Sequence, residues 1–461
     1  MTWRLLVSLL LIFLLQSCLT YYDRNRMFNE EFARGDYGKA DHLIEKNKFL
    51  LRPRNKLLYL LEKGVVSQLR GNFEESNKLF EEAYIFVEDF ERNYGQEALA
   101  LLTNDMMRKY GGEDFEKVYI NYYKAINFIR LDDLESAMVE CRRVNIRLDE
   151  ITDKYKSEKK FKRDAFAHTL MGILYEATGD ENNAFIAYRN AYEIYSKDYK
   201  EFFNMEIPKQ LKKDLLRTAS QNGFYEELER YEKEFSMKFD RKKTRPKKEL
   251  IAFWHNGFGP VKQEWSINFF LIRGQGGAVT FVNEQYGMNF TFYARSNDDY
   301  ATLSDVKVVR VAFPKYSERK HGLTGAKLTY GQVDHQLELL EDINKIAVKS
   351  LNDRMFREMS KALLRLALKQ AAEAAARKEN ENLGAALSVF NAVTEKADTR
   401  NWQTLPAQIF YVRVPMDSES NTVGFTTYRS GTVVNQGELD LKMNQDIKFL
   451  FHTTVPPESL L

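Results

Sequence analysis

The residues that most often carry metal or acid–base chemistry are scattered in this sequence. Its 6 histidines lie at positions 42, 168, 255, 321, 335 and 452, and they form no His-x-x-x-His pair and no cysteine–histidine cluster of the kind that binds zinc. The sequence also contains no Gly-x-Ser-x-Gly nucleophile elbow. We therefore predict no catalytic residue, no metal site and no cofactor.

One cysteine stands where its thiol is a site of chemistry. Arg4 precedes an apolar stretch from Leu5 to Leu15, which is too short to span a bilayer and has the length of a signal-peptide core. The following "LQSC", which ends at Cys18, resembles a bacterial lipobox. The resemblance implies cleavage before Cys18, diacylglycerol on its thiol and a permanent membrane anchor, and Leu19 favours the outer membrane. The alternatives are a cytosolic protein with an apolar first helix and a secreted protein cleaved nearby.

A second group of residues with specific chemistry lies in "ADTRNWQTLP", residues 397–406. Asp398 and Arg400 are spaced to form a buried ion pair, and Trp402 is placed to pack against Pro406. Such a cluster is a candidate interaction site. The alternative is that these residues fix how the inserted helices rejoin the neighbouring strands.

Repeated helical hairpins precede that loop. Between about residues 24 and 235, five stretches share a turn residue, then a small or apolar residue and a large one, with turns at Gly35, Gly71, Asp132, Gly179 and Gly223. The pattern resembles the tetratricopeptide (TPR) repeat. The residues assigned to TPR packing are Gly35, Ala40, Gly71, Phe80, Ala83, Ala125, Ala137, Gly172, Tyr175, Gly179, Ala184, Tyr188 and Ala191. The fold implies a groove for a protein partner, or alternatively a structural spacer.

The second half changes from helical to strand periodicity. The basic segment 241–248, with six basic residues in eight, predicts a linker. Short alternating segments after it predict strands. Between them we predict a helical insertion at about 334–396, with Asp334 and His335 capping its first helix and a second helix at 382–398. The fold class is α+β: an all-α TPR-like superhelix, then an antiparallel β-sandwich-like domain with a helical insertion.

Three motifs in this half carry a further resemblance. Gly257, Pro260 and Lys262 form a "G-x-x-P-x-K" turn, which is followed by an "AFPxY" strand end and by the "AD-x-R-x-W-x-x-L-P" loop. In this order they resemble an uncharacterised bacterial family of TPR-containing lipoproteins. Some of its genes lie near genes for lipoproteins that activate cell-wall synthases, which implies a role in the cell envelope.

Charge and cysteine content narrow the function. With 68 basic and 66 acidic residues, the composition does not favour nucleic-acid binding, and 2 cysteines cannot form a disulfide framework. We interpret Cys141 as a small buried hydrophobe. The predicted division is a signal peptide at 1–17, a TPR-like domain at 18–240, the linker at 241–248 and the sandwich-like domain at 249–461.

These features lead to a non-enzymatic envelope lipoprotein, anchored in the outer membrane and facing the periplasm. We expect an accessory scaffold for a complex of cell-wall synthesis, secretion or motility, with an envelope protein in the TPR groove. One alternative is an oligomerising subunit of a secretion or pore-type apparatus, which includes a homo-oligomer. A cell-wall or glycan-acting enzyme is the disfavoured alternative, because the sequence shows no acid–base or metal set.

Overall fold

The computed structural model describes residues 20–93, 106, 108–154, 163–241, 248–293, 308–320, 322–379, 396–416, 422–441 and 446–456. Cys18 and residues 242–247 of the predicted basic linker lie outside this part of the chain. So does most of the second predicted inserted helix. No helix in the described ranges is long and apolar enough to cross a membrane.

The first half consists of helices arranged as hairpins. Their bounds are α1 Tyr21–Ala33, α2 Tyr37–Lys46, α3 Lys56–Leu69, α4 Phe73–Asn93, α5 Asp114–Arg130, α6 Leu134–Lys154, α7 Ala165–Ala177, α8 Glu181–Ile194, α9 Lys200–Phe203, α10 Lys209–Gln221 and α11 Tyr225–Phe235. A π-helical turn, Tyr195–Tyr199, joins α8 to α9. The hairpins are α1/α2, α3/α4, α5/α6, α7/α8 and α10/α11, and each packs against the next.

The five hairpin turns share one hydrogen-bond pattern. In the first, Gly35 N donates to Phe32 O and Asp36 N to Glu31 O, both at 3.0 Å, which is the Schellman arrangement. It needs a residue with positive φ, and the five turn residues have φ between 64° and 84°: Gly35, Gly71, Asp132, Gly179 and Gly223. Asp36 then caps the next helix by accepting from Lys39 N at 3.0 Å. These are the turn positions that the sequence predicts.

Close helix contacts explain the small residues of the repeat. A Cβ added to Gly172 would lie 2.4 Å from a ring carbon of Tyr188, so α7 and α8 approach where only glycine fits. Of the other positions assigned to TPR packing, the turn glycines Gly35, Gly71 and Gly179 are exposed and Tyr175 is half-buried. The rest are buried: Ala40, Phe80, Ala83, Ala125, Ala137, Ala184, Tyr188 and Ala191. Cys141 is also buried, and burial raises the pKa of its thiol.

In its described ranges, the second half contains three four-stranded sheets. Its strands are β1 Glu249–Asn256, β2 Val261–Arg273, β3 Ala278–Asn283, β4 Met288–Tyr293, β5 Val308–Ser317, β6 Gly325–Tyr330, β7 Val333–Gln336, β8 Glu338–Asp342, β9 Gln408–Pro415, β10 Thr422–Arg429, β11 Thr432–Asp440 and β12 Ile447–Thr454. The strand orders are β12-β1-β9-β8 in the first sheet, β11-β10-β6-β7 in the second and β4-β3-β2-β5 in the third.

The first and second sheets form the predicted sandwich. Trp254 from β1, Phe410 from β9 and Phe425 from β10 lie in their shared core. Among the strands that the structure describes, every pair is antiparallel except one, in which β12 runs parallel to β1 from Glu249↔Ile447 to Asn256↔Thr454. The predicted antiparallel sandwich-like domain is therefore confirmed, with parallel pairing at this one edge.

The third sheet packs against the long helix α12, Ile343–Glu379. Met359 and Leu363 of α12 lie in one core with Phe281 and Phe290. The predicted helix start at Asp334 and His335 is wrong, because these residues belong to β7, which pairs with β6. The cap is instead Asp342, whose Oδ1 accepts from Lys345 N at 3.0 Å.

The two halves share one hydrophobic core. The central strands of the first sheet, β1 and β9, are buried on both faces. Alternate side chains of a strand point to opposite sides. Even-numbered β1 residues face the second sheet, whereas Ile251 and Phe253 join a core with Leu61 and Leu170 of the repeats. We call the side formed by the first helix of each hairpin the inner face. It is covered by the chain's own second half.

Candidate functional site

Each first helix of the five hairpins contributes to this junction. Representative contacts are the ring pair Phe32–Phe258, and the hydrogen-bonded pairs Glu62–Gln403, Glu116–Trp402, Glu176–Arg413 and Asp214–Tyr411. The predicted interaction residues of 397–406 lie in the middle of this series. The groove predicted to hold a partner therefore holds this loop and the first sheet.

Asp398 and Arg400 form an ion pair within the loop 397–406. Arg400 Nε and Nη2 donate to the two carboxylate oxygens of Asp398 at 2.8 and 2.7 Å. Arg400 Nη1 also donates to Asn55 Oδ1 at 2.9 Å and to Arg108 O at 3.0 Å, so it reaches the repeats. Burial raises the pKa of Asp398, but Arg400 and Lys262 together outweigh this effect and the pKa is lowered overall.

Trp402 fills a pocket in the inner face and is 1% exposed. Its ring centroid lies 5.8 Å from that of Phe80 and 5.4 Å from that of Tyr123. Its indole N–H donates to Thr404 Oγ1 at 3.0 Å. The packing partners of Trp402 are thus aromatic residues of α4 and α5, and Pro406 is buried nearby beside a small cavity.

Two buried carboxylates hold the backbone of the loop. Glu116 accepts from Trp402 N at 2.7 Å, and Glu62 accepts from Gln403 N at 2.9 Å and from the Thr404 hydroxyl. Burial raises the pKa of Glu62 and of Glu116 to about 7 each, because a charged carboxylate is costly away from water. Sequence reasoning missed both, since each lies on a helix among charged residues of ordinary appearance.

Residues of the three sequence motifs, around Lys262, Tyr316 and Asn401, meet at the same junction. Lys262 hydrogen-bonds Glu113 of the repeats through its buried Nζ, and Arg354 of α12 bonds the other oxygen of that carboxylate. Pro260 O accepts from Asn401 Nδ2 at 2.9 Å, and Tyr316 packs edge-to-face on Phe115. Three separated sequence segments therefore contact the repeats in one place.

A second charge cluster lies further along the inner face, around Arg413 of β9. Its guanidinium bonds Glu249 at 2.9 Å and Glu176 at 2.5 Å, and its Nε lies 3.4 Å from Asp214. Arg217 bridges the same Glu176 and Asp214. Burial raises the pKa of Asp214 to about 6 although Arg413 opposes the shift. No sequence motif pointed to this cluster.

An open cleft of about 980 Å³ lies beside this cluster. Its lining includes Lys209 and Lys213 of α10, Phe239, His335 of β7 and Arg413. It opens where the last hairpin, the segment 237–241 and the sandwich come together. Its volume lies in the range of ligand-binding sites.

The polar groups of the junction are bonded mainly to one another. His255 bonds the Tyr122 hydroxyl at 2.7 Å, and burial lowers its pKa to about 3. Among the described residues, no group of three or more His, Cys, Asp or Glu side chains could hold a metal ion. These hydrogen bonds and ion pairs hold the repeats, the loop and the sheets together.

Comparisons with known proteins add little to this geometry. No protein-family model and no curated protein matches the chain. Similar solved structures include a MamA protein (15% identity, TM-score 0.28, covering 46% of this chain and 86% of that chain). Others are a Podosopora anserina putative kinesin light chain with nearly identical TPR-like repeats (13%, 0.31, 46% and 92%) and the apo form of RapI (16%, 0.34, 46% and 52%). All these TM-scores are below 0.5, so nothing about function is transferred from them.

Proposed function

We propose that this chain is an envelope lipoprotein, anchored through Cys18 in the outer membrane, that serves as a rigid accessory scaffold for an envelope protein complex. One observation carries the proposal: the chain's own sheet and loop cover the inner face of its repeats. The partner then binds on outer surfaces, which include the open cleft. The groove partner expected from the repeat pattern is replaced in this proposal by a partner outside the groove.

The shared core supports the rigid character of the scaffold. A peptide competing for the inner face would have to displace Trp402 and the Arg413 cluster, which are tethered in the same chain and therefore present at high effective concentration. A binding-induced opening would also leave Glu176 and Asp214 without one of their cations. Binding outside the groove avoids both costs.

A non-enzymatic role is part of the proposal. Glu62 and Glu116 have the pKa values expected of acid–base catalysts. Their oxygens, however, accept hydrogen bonds from the backbone N–H groups of Trp402 and Gln403 and from the Thr404 hydroxyl, and both side chains are buried. We infer that their shifted pKa values follow from their structural burial, and that the chain catalyses no reaction through them.

The anchor is tested by a Cys18→Ala variant. The wild-type chain is expected to incorporate labelled palmitate and to fractionate with the outer membrane, whereas the variant loses both. A matched Cys141→Ala variant keeps both, because that thiol is buried in the repeats. Labelling of Cys18→Ala at the wild-type level would refute the lipoprotein part of the proposal.

The scaffold is tested by crosslinking the full chain in intact envelopes and identifying the attached proteins. We expect the same envelope protein to be captured in independent preparations and from surface lysines outside the inner face. Size-exclusion chromatography distinguishes the oligomerising alternative, which predicts a ring or polymer of this chain alone. If no other envelope protein is captured in repeated preparations, the scaffold function is refuted.

A further inference from the structure

We propose that the open cleft beside the Arg413 cluster binds an acidic, partly apolar peptide segment of a protein partner. This inference rests on the proposed scaffold function and adds the chemistry of the partner at one defined surface. The argument uses the shape of the cleft, the pairing of its charges and its apolar wall.

The cleft has the shape of a receptor for a chain segment. It encloses about 980 Å³ between α10, the segment 237–241 and residues of strands β7 and β9. A concave space of this size fits several side chains of a peptide. A bilayer surface is flat and could not follow its walls.

Two lysines on one wall of the cleft carry positive charge that takes part in no salt bridge among the described residues. Lys209 and Lys213 are one helical turn apart on α10, so they project on the same side of the helix. Both are exposed, and no salt bridge joins either of them to a carboxylate in the described part of the chain. On the facing segment, Lys238 and Arg241 add positive charge, although they pair with glutamates of α11.

The carboxylates that line the cleft have donors within the chain. Glu338 accepts from the backbone N–H of Gln210 at 2.8 Å. Asp334 accepts from Lys327 and from Thr329 at 2.6 and 2.7 Å. These acidic groups are thus engaged, and an added carboxylate entering the cleft meets Lys209 and Lys213.

The cleft also offers apolar contacts to a bound peptide. Leu216, Met237, Phe239 and Pro415 line the same space. An extended peptide places alternate side chains on opposite sides. A segment that alternates acidic and apolar residues therefore satisfies both walls at once.

The test uses a fluorescein-labelled peptide that alternates glutamate and leucine, titrated with the full chain. We expect saturable binding that weakens as salt is added, because salt screens exposed charges. The double variant Lys209→Glu/Lys213→Glu should bind about tenfold more weakly, since two exposed attractions become repulsions. Both positions are exposed, so folding should be unaffected, and circular dichroism checks this.

The matched control is Lys56→Glu/Lys78→Glu, which changes net charge equally at exposed sites on the repeats. Equal weakening by the two double variants would overturn the cleft as the site. Binding to vesicles of phosphatidylglycerol and phosphatidylcholine but not to the peptide would overturn it in favour of a membrane contact. If the cleft variant still captures the same envelope proteins as wild type, the scaffold stands and the cleft inference fails.

Discussion

Truncating Trp402 to alanine tests the conclusion that the two halves fold as one unit. A fully buried tryptophan removes roughly 200 Å² from water, which at about 25 cal/mol per Å² corresponds to about 5 kcal/mol. Trp402 is 1% exposed and packs on Phe80 and Tyr123. Because alanine retains part of the contact, we expect the free energy of unfolding to fall by about 4 kcal/mol.

The assay is urea unfolding followed by two probes. Far-ultraviolet circular dichroism reports mainly on the helices. Tryptophan fluorescence reports on the sheets through Trp254 and Trp265, and in the wild type Trp402 adds to this signal. In a single cooperative unit both signals change together, in wild type and in Trp402→Ala alike, and both midpoints shift by the same amount. Tyr293→Ala, at a side chain that is 73% exposed, should change stability by less than about 0.5 kcal/mol.

Two results would contradict this reasoning. If the helical signal kept its midpoint while the sheet signal shifted, the repeats would be an independent domain with an open inner face. If Trp402→Ala cost less than about 1 kcal/mol, the loop would not be held in the inner face as described.

Three further predictions address particular contacts. Gly172→Ala should lower the melting temperature, at a cost of about 2 kcal/mol, because the added Cβ would clash with Tyr188. Gly437→Ala is the control, because a Cβ at that position meets open space and should leave the melting temperature unchanged. Equal effects of the two substitutions would contradict the close approach of α7 and α8. The pKa of Glu62 is raised from 4.5 to about 7, so its folded state binds a proton that the unfolded state releases, and stability should fall as pH rises from 5 to 8. Glu62→Gln should flatten this dependence by up to about 3 kcal/mol in unfolding measured across that range, and an unchanged slope would refute the shift. Arg413→Met should lower the free energy of unfolding, measured by thermal unfolding, by about 4 kcal/mol, because three carboxylates lose their shared cation. Part of this stability should return at acidic pH, where the carboxylates become protonated. If no stability returned, the loss would not be a charge effect.

The occupied inner face changes how the repeats are to be understood. Their apolar stripe is as expected for TPR-like hairpins, but the surface that covers it is supplied in cis. A fragment of the repeats alone would uncover Phe32, Phe80 and Phe166, which pack on Phe258, Trp402 and Phe253 of the second half. Binding experiments are therefore best done with the whole chain, because a fragment would offer an apolar surface that the intact protein keeps covered.

The sequence by itself determined the local features of this protein. A Schellman turn depends on a few neighbouring residues, so Gly35 or Asp132 can be recognised without knowing the rest of the fold. The alternation along β1 and the small residues of the hairpins are equally local. The ion pair of Asp398 and Arg400 spans only two positions and could also be anticipated.

Only the tertiary structure decided what covers the inner face and which charges are buried there. Periodicity shows which side of a helix is apolar, but it does not show which distant segment packs on that side. Glu62 meets Gln403 across 341 positions, and Glu176 meets Arg413 across 237, so no local pattern distinguishes them from solvated residues. The parallel pairing of β12 with β1 and the start of α12 at Ile343 likewise depend on strands that come together only in the folded chain.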